Sequence, residues 1–197
     1  MISKGKFEFR YGRIEARIKV PMGQGLWPAF WLLGANISQV SWPACGEVDI
    51  MEHGIFPFED IDYIGSALHT PCCNGGNPNS GGTIASNLEN QFHVYSVNWS
   101  PDQITFLLDG VGFYTYNPAI KDENTWPFFE DQYILLNTAI QPSITASFTE
   151  SDMIIDYVRV YQESSLSTSN STLNELIIYP NPTKDKLILK TPSHLIG

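Results

Sequence analysis

The sequence predicts an all-β fold, a sandwich or jelly roll of antiparallel strands. Three observations carry this: short apolar/polar alternations recur along the chain, turn residues separate them, and no long amphipathic helical pattern occurs. The 197 residues are 43% hydrophobic, enough for one packed domain with a short appendage. Aromatic residues reach 13%, a share that strands accommodate more readily than helices.

The elements follow in order. Phe7 to Val20 alternates apolar and polar residues, with a break at Gly12. Pro21 to Gly25 is a turn, and Leu26 to Leu33 is a nearly continuous apolar run, suited to a strand buried on both faces. Glu47 to His53 is a further strand. Residues 71–83, rich in Pro, Asn, Gly and Ser, read as a loop. Phe92 to Trp99 alternates again, and Ile104 to Leu108 ends in Asp109-Gly110, a hairpin signal. Tyr133 to Ala139 and Met153 to Tyr161 complete the series.

The composition shifts at Gln162. Residues 163–174 are mostly Ser, Thr and Asn, as in a flexible linker. Residues 175–197 hold a short strand, a proline turn at Tyr179-Pro180-Asn181-Pro182-Thr183, and a second strand near Leu187-Ile188-Leu189. This gives a domain over 1–162, a linker over 163–174 and a partial module over 175–197. At the other end, Met1 to Lys6 lacks the apolar core of a signal peptide and runs at once into strand pattern. The chain is therefore expected to begin inside a domain, with its first strands missing.

Charge and cysteine content narrow the function classes. With 21 acidic and 11 basic residues the formal net charge is -10, the wrong sign for nucleic acid but no obstacle to a neutral polymer. No apolar run is long enough to span a bilayer. Cys72 and Cys73 are adjacent and poorly placed to bridge each other. Either could pair with Cys45, or all three could stay free thiols, and no metal-binding spacing is present.

The chemistry concentrates in Gly46-Glu47-Val48-Asp49-Ile50-Met51-Glu52-His53-Gly54. Strand alternation puts Glu47 and Asp49 on one face but Glu52 on the other. One extra residue taken up as a β-bulge near Ile50-Met51 returns Glu52 to the face of Glu47. Three like charges on one strand face repel, a cost that a solvated strand has no reason to bear. Glycoside hydrolysis supplies a reason, because it uses paired carboxyl groups, and a third can tune their pKa values. On the preceding strand, Trp27, Ala29 and Trp31 share one face and Pro28, Phe30 and Leu32 the other. One set can pack the core while the other offers indole faces to sugar rings. Trp42 stands before the motif in a Trp-Pro turn.

Taken together these segments resemble glycoside hydrolase family 16. The matching stretches are Tyr11 to Lys19, Gly23 to Leu33 with its Trp27-Pro28-Ala29-Phe30-Trp31, Trp42 to His53, Phe92 to Tyr95 and Ile155 to Tyr161. The resemblance covers roughly residues 4–162. It implies a concanavalin-like jelly roll of two curved antiparallel sheets with an open cleft. It also implies Glu47 as nucleophile, Glu52 as acid/base and Asp49 as their assistant, with no cofactor for catalysis. The form with an extra residue before the second Glu is similar to the laminarinase branch, which implies retaining endo-hydrolysis of β-1,3 or mixed β-1,3/1,4 glucan. His69, in Ser66-Ala67-Leu68-His69-Thr70, matches a cleft histidine, with Trp27, Trp31 and Trp42 as the other substrate-binding side chains; a hydrogen-bonded structural role fits His69 too. Asp156 matches an aspartate that binds a structural calcium in many members, or is a strand-end aspartate without one. The stretch Leu136 to Pro142 departs from the pattern, which bears on the subsites.

Two rival readings remain at this stage: a hydrolase of another marine polysaccharide such as agar or carrageenan, and a non-catalytic, lectin-like glycan-binding module. Residues 27–70 contain no Arg or Lys, which disfavours sulfated substrates. A pure binder has no use for three clustered acids. The tail, Glu175 to Lys190, resembles the C-terminal sorting domain of the type IX (Por) secretion system, or is an accidental proline turn. That resemblance implies a secreted or cell-surface protein that meets the secretion machinery through its tail. A monomer is expected.

Overall fold

The computed structural model describes residues 1–55 and 61–163, and the backbone of two short strands at 177–179 and 188–190. The chain divides into two units, Met1–Glu163 and Ser164–Gly197. The regular structure of the described part of the first unit is β apart from one helical turn. Its strands are β1 (Gly12–Lys19), β2 (Leu26–Gly34), β3 (Glu47–Glu52), β4 (Tyr63–His69), β5 (Asn79–Ile84), β6 (His93–Trp99), β7 (Ile104–Leu108), β8 (Val111–Tyr116), β9 (Gln132–Ile140) and β10 (Ile154–Tyr161). A single turn of helix, Ile37–Val40, lies between β2 and β3. Among the described residues, no helix is long and apolar enough to cross a membrane.

The strands form two five-stranded antiparallel sheets, ordered β5-β4-β3-β2-β9 and β10-β1-β6-β7-β8. Alternation explains what lies between them. Phe30 and Leu32 of β2, Val48, Ile50 and Met51 of β3, and Ile64 and Leu68 of β4 meet Ile14, Ala16 and Ile18 of β1, Val97 of β6 and Phe106 of β7 in one buried cluster. The side chains of β2 that point the other way, Trp27 and Trp31, stay partly exposed. The all-β reading therefore holds, and the two faces of β2 divide as the sequence predicts.

Two details differ from the sequence reading. The alternation over Phe7 to Val20 is two segments. Met1 to Phe9 runs along the free edge of β9, with bridges Ile2–Leu135 and Phe9–Gln132 and backbone hydrogen bonds from Ser3 to Ile134 and from Phe9 to Gln132. The chain then turns at Tyr11, whose φ is 59°, and enters β1 in the other sheet. Second, residues 79–83, expected in a loop, belong to β5. A Cβ on Gly82 would lie 2.0 Å from the Tyr63 hydroxyl oxygen, so close packing demands a residue that weakens the strand signal. Of the two cysteine states that the sequence leaves open, the structure has the unpaired one: all three are free, with Cys45 buried against Leu33 and Tyr133.

In the second unit, β11 (Ile177–Tyr179) pairs antiparallel with β12 (Ile188–Lys190). The linker from Ser164 onward and the Pro180 to Thr183 turn lie outside the described residues.

The feature of the fold that matters most for the site is an irregularity in β3. On one side Phe30 pairs with Met51 and Trp31 with Asp49; on the other Asp49 pairs with Ala67 and Glu52 with Gly65. Ile50 is thus the extra residue of a β-bulge. Ser66 stands opposite the bulge and donates its hydroxyl to the Ile50 carbonyl at 2.7 Å. Ser66 is buried, so nothing else supplies that bond if its hydroxyl is removed. Ser66→Ala is expected to lower stability by about 1–3 kcal/mol, the cost of an unsatisfied buried acceptor, measured as the shift in urea-unfolding free energy. A neutral effect would show that the bulge does not need the serine.

Candidate active site

Because of the bulge, Ile50 and Met51 both point into the core while Glu47, Asp49 and Glu52 share the opposite face of β3. Neighbouring strands complete that face by register. Leu33, Trp31 and Ala29 of β2 lie beside Glu47, Asp49 and Glu52 respectively. His69 of β4 lies directly beside Glu47. In β9, Asn137 stands beside Ala29 and Ala139 beside Trp27. The result is a cavity of about 180 Å³ lined by Trp27, Ala29, Trp31, Glu47, Asp49, Glu52, Asn137 and Ala139. A larger groove of about 670 Å³ lies at the ends of β1, β6 and β10 in the other sheet. It has a single carboxylate, Glu163, among its lining residues, and so lacks the paired acids that glycosidic chemistry uses.

Each carboxylate has its own partners. Trp27 donates its indole N–H to Glu52 Oε1 at 2.9 Å. The Trp42 indole is within hydrogen-bonding reach of Glu47, and its ring centroid lies 5.7 Å from that of His69. His69 Nε2 is 3.2 Å from Asp49 Oδ2 and 3.6 Å from Glu47 Oε1. The 3.2 Å approach lacks the alignment of a full hydrogen bond, which leaves the buried Asp49 Oδ2 without one. The other ring nitrogen of His69, Nδ1, accepts the Gly75 backbone N–H at 3.1 Å, so the neutral ring carries its proton on Nε2, facing the acids.

Burial raises all three carboxyl groups. It is the main cause for Glu47, which is pushed up to about 8, with the Asp49 charge adding to it and His69 and Trp42 opposing it. Asp49 is held well above the usual carboxylate range by burial and then by the Glu52 charge. Glu52 is raised by burial and restrained by the Trp27 hydrogen bond. At neutral pH the trio therefore keeps at least one proton.

The structure brings Glu47, Asp49, Glu52, Trp27, Trp31, Trp42 and His69 together. Asp156 stands apart, in β10 of the other sheet, where Arg17 Nη1 binds its Oδ2 at 2.7 Å. A carboxylate already paired with a guanidinium is a poor base for a calcium ion, which takes six to eight oxygens. Among the described residues, the one cluster of three ligating side chains is Glu47, Asp49 and His69, with ligand atoms within 4.8 Å of one another. Two residues of this region escape a sequence reading. Asn137 accepts the Trp31 indole N–H at 2.7 Å through Oδ1, and Ser66 secures the bulge. Asn137 could have been suspected as the polar member of the series Tyr133, Leu135, Asn137, Ala139 on one strand face; Ser66 gives no signal.

A jelly roll with acids clustered on one face of a strand, flanked by indoles, defines a glycoside hydrolase class of site. The chain belongs to the glycosyl hydrolases family 16, whose family model matches residues 1–159. It is 32% identical to a β-glucanase of Rhodothermus marinus over 82% of its own length and 61% of that protein's. It is 34% identical to a keratan-sulfate endo-1,4-β-galactosidase of Sphingobacterium multivorum over 90% of its length and 42% of that protein's. Among solved structures, the laminarinase from Flavobacterium sp. UMI-01 superposes with a TM-score of 0.76 at 41% identity, covering 82% of this chain and 71% of that one. The chain thus spans less than two thirds of these two curated relatives.

The raised Glu47 makes a prediction about stability. A carboxyl whose folded pKa lies near 8, against an ordinary value of 4.5, binds more protons in the folded state between those limits. Stability therefore falls as pH rises across that window. Glu47→Gln removes the titration, so its melting temperature should exceed that of the wild type at pH 8 and converge on it toward pH 4. Parallel melting curves across this range, followed by circular dichroism, would contradict a raised Glu47.

Proposed function

We propose that this chain carries the catalytic machinery of a retaining endo-β-glucanase acting on β-1,3 or mixed β-1,3/1,4 linkages. The observation that carries the proposal is the bulge that sets Glu47, Asp49 and Glu52 on one face of β3 beside Trp27 and Trp31. In this mechanism Glu52 protonates the glycosidic oxygen while Glu47 attacks the anomeric carbon. The leaving sugar departs with the Glu52 proton, and a glycosyl ester forms on Glu47. Glu52, now ionised, takes a proton from water, which attacks the anomeric carbon, breaks its bond to the Glu47 oxygen and frees the carboxylate. Two inversions give net retention.

The free site must redistribute its proton for this to occur, since Glu47 is the group pushed to about 8. A glycosidic oxygen accepting from Glu52 favours the proton there, and positive charge developing at the anomeric carbon favours ionised Glu47. The Trp42 and His69 contacts, which already lower Glu47, help in the same direction. Trp27 and Trp31 offer ring faces to the sugar, a contact that suits an uncharged glucan. The cavity lining includes no Arg or Lys, which argues against a sulfated galactan such as the galactosidase relative's keratan sulfate. An intact acid trio argues against a lectin-like module. The tail motif Tyr179 to Thr183 supports export through a type IX secretion route, and deleting residues 163–197 is expected to block export while leaving turnover intact.

The test is product chemistry. Glu47→Ala and Glu52→Ala should each cut hydrolysis of laminarin by at least about 10²-fold, the lower end of a general-acid or nucleophile contribution. Added azide should restore turnover in Glu52→Ala with a β-glycosyl azide and in Glu47→Ala with an α-glycosyl azide. Early proton NMR of the wild-type reaction should show the β-anomer first. First appearance of the α-anomer, or ordinary turnover in both variants, would refute the mechanism.

A further inference from the structure

Outside the cleft, the loop after β4 brings two thiols together. Cys72 Sγ and Cys73 Sγ lie 2.6 Å apart, with Cys72 exposed and Cys73 half-buried. The approach is imposed by the turn that holds them. Thr70 and Cys73 exchange backbone hydrogen bonds of 2.9 and 3.0 Å, and the Cys72 N–H donates to the Asn124 carbonyl at 3.0 Å. Asn74 donates its amide to the Thr70 and Pro71 carbonyls at 3.1 and 3.2 Å. The next residue, Gly75, gives the N–H that holds His69 Nδ1. One short turn therefore carries both a dithiol and the contact that orients the imidazole beside Asp49.

We propose that Cys72 and Cys73 form a modification site, a vicinal dithiol that closes to a disulfide by exchange with a small disulfide and thereby displaces the Gly75 contact on His69. The exposed Cys72, as thiolate, attacks one sulfur of the small disulfide and releases one thiolate. Cys73 then loses its proton and attacks Cys72 Sγ, expelling the second. The two protons lost by the protein neutralise the two leaving thiolates. The pair is oxidised by two electrons and the small disulfide is reduced to two thiols.

The bond formed this way is a labile one. Consecutive Cα atoms are about 3.8 Å apart, below the roughly 4.4–6.8 Å that relaxed disulfides span, so closure strains the turn and the bond is easily reduced. That strain agrees with the expectation that adjacent cysteines make a poor staple, and it is what couples closure to the neighbouring Asn74 and Gly75. Cys45 does not compete, because it is buried against Leu33 and Tyr133 and burial pushes its thiol up to about 11, leaving little thiolate.

The experiment uses the 197-residue protein, reduced and then incubated with oxidised glutathione. Free thiols are alkylated, and the peptide containing Cys72 and Cys73 is weighed. The expected peptide is lighter by two hydrogens, carries neither alkyl group nor glutathione, and reverts with dithiothreitol. The His69 ring resonances should shift on oxidation in the wild type and stay unmoved in Cys72→Ser/Cys73→Ser treated alike. A pair that remains alkylatable, a pair that holds glutathione as a stable mixed disulfide, or a closed bridge with unmoved His69 resonances would each overturn the proposal. Neither readout depends on hydrolysis, so the outcome is separate from that of the glucanase reading.

Discussion

Like-charge repulsion on one strand is the constraint around which this site is organised. The ligating oxygens of Glu47 and Asp49 lie within 4.8 Å of each other. Both ionised, they would repel by at least about 3 kcal/mol at an effective dielectric of about 20. Two features offset this. Protons stay on the trio at neutral pH, and the reverse face of the same strand buries Ile50 and Met51 almost completely. Burying two such side chains contributes roughly 3–6 kcal/mol, enough to hold the strand in its bulged form against the charge it displays. The bulge serves both ends: it turns two consecutive apolar residues into the core and, by the same shift, returns Glu52 to the face of the other acids.

The sequence reveals this arrangement unusually far because both sides of β3 leave a mark on it. Glu-Val-Asp alternates, and Ile-Met interrupts the alternation just where a third acid is needed. The same holds for β2, where Trp27 and Trp31 fall on one parity and Phe30 and Leu32 on the other. The reading fails where packing rather than pattern decides. β5 is spelled Asn-Ser-Gly-Gly-Thr-Ile, a loop by composition, because the Tyr63 hydroxyl and the Tyr114 ring leave no room for Cβ atoms at Gly82 and Gly81. The alternation from Phe7 to Val20 marks the crossing between sheets only by its break at Gly12, since alternation reports which residues are buried and not which partner strand they join. Asp156 has a partner that motif matching cannot report: the guanidinium beside it comes from Arg17, 139 residues away in sequence.

The indoles differ in what holds them, and this bears on what each can do. Trp27 is tied by its N–H to Glu52, so its ring plane and the carboxyl are positioned together. Trp31 is tied to Asn137, a side chain of β9, and its orientation therefore depends on the register between β2 and β9. The part of β9 around Asn137 is thus the part that sets the Trp31 face of the cleft. That face is therefore set by a strand that carries none of the acids.

The hydrogen bonding of His69 bears on what Glu47, Asp49 and His69 can do together. Two carboxylates and an imidazole with ligand atoms within 4.8 Å would suit a divalent cation by count alone. Binding one through Nε2 requires the lone pair on that nitrogen and the ring proton on Nδ1. Nδ1 instead receives the Gly75 N–H, and a proton there would set two donors against each other. The tautomer that satisfies Gly75 is the one that aims an N–H at the acids. The backbone of the loop after β4 thereby turns the Nε2 proton of His69 toward the carboxylate pair, 3.2 Å from Asp49 Oδ2 and 3.6 Å from Glu47 Oε1, close enough to act on their charge without a full hydrogen bond to either. A ring free to turn, without Gly75 behind it, would lose that discrimination while keeping every side chain of the site in place.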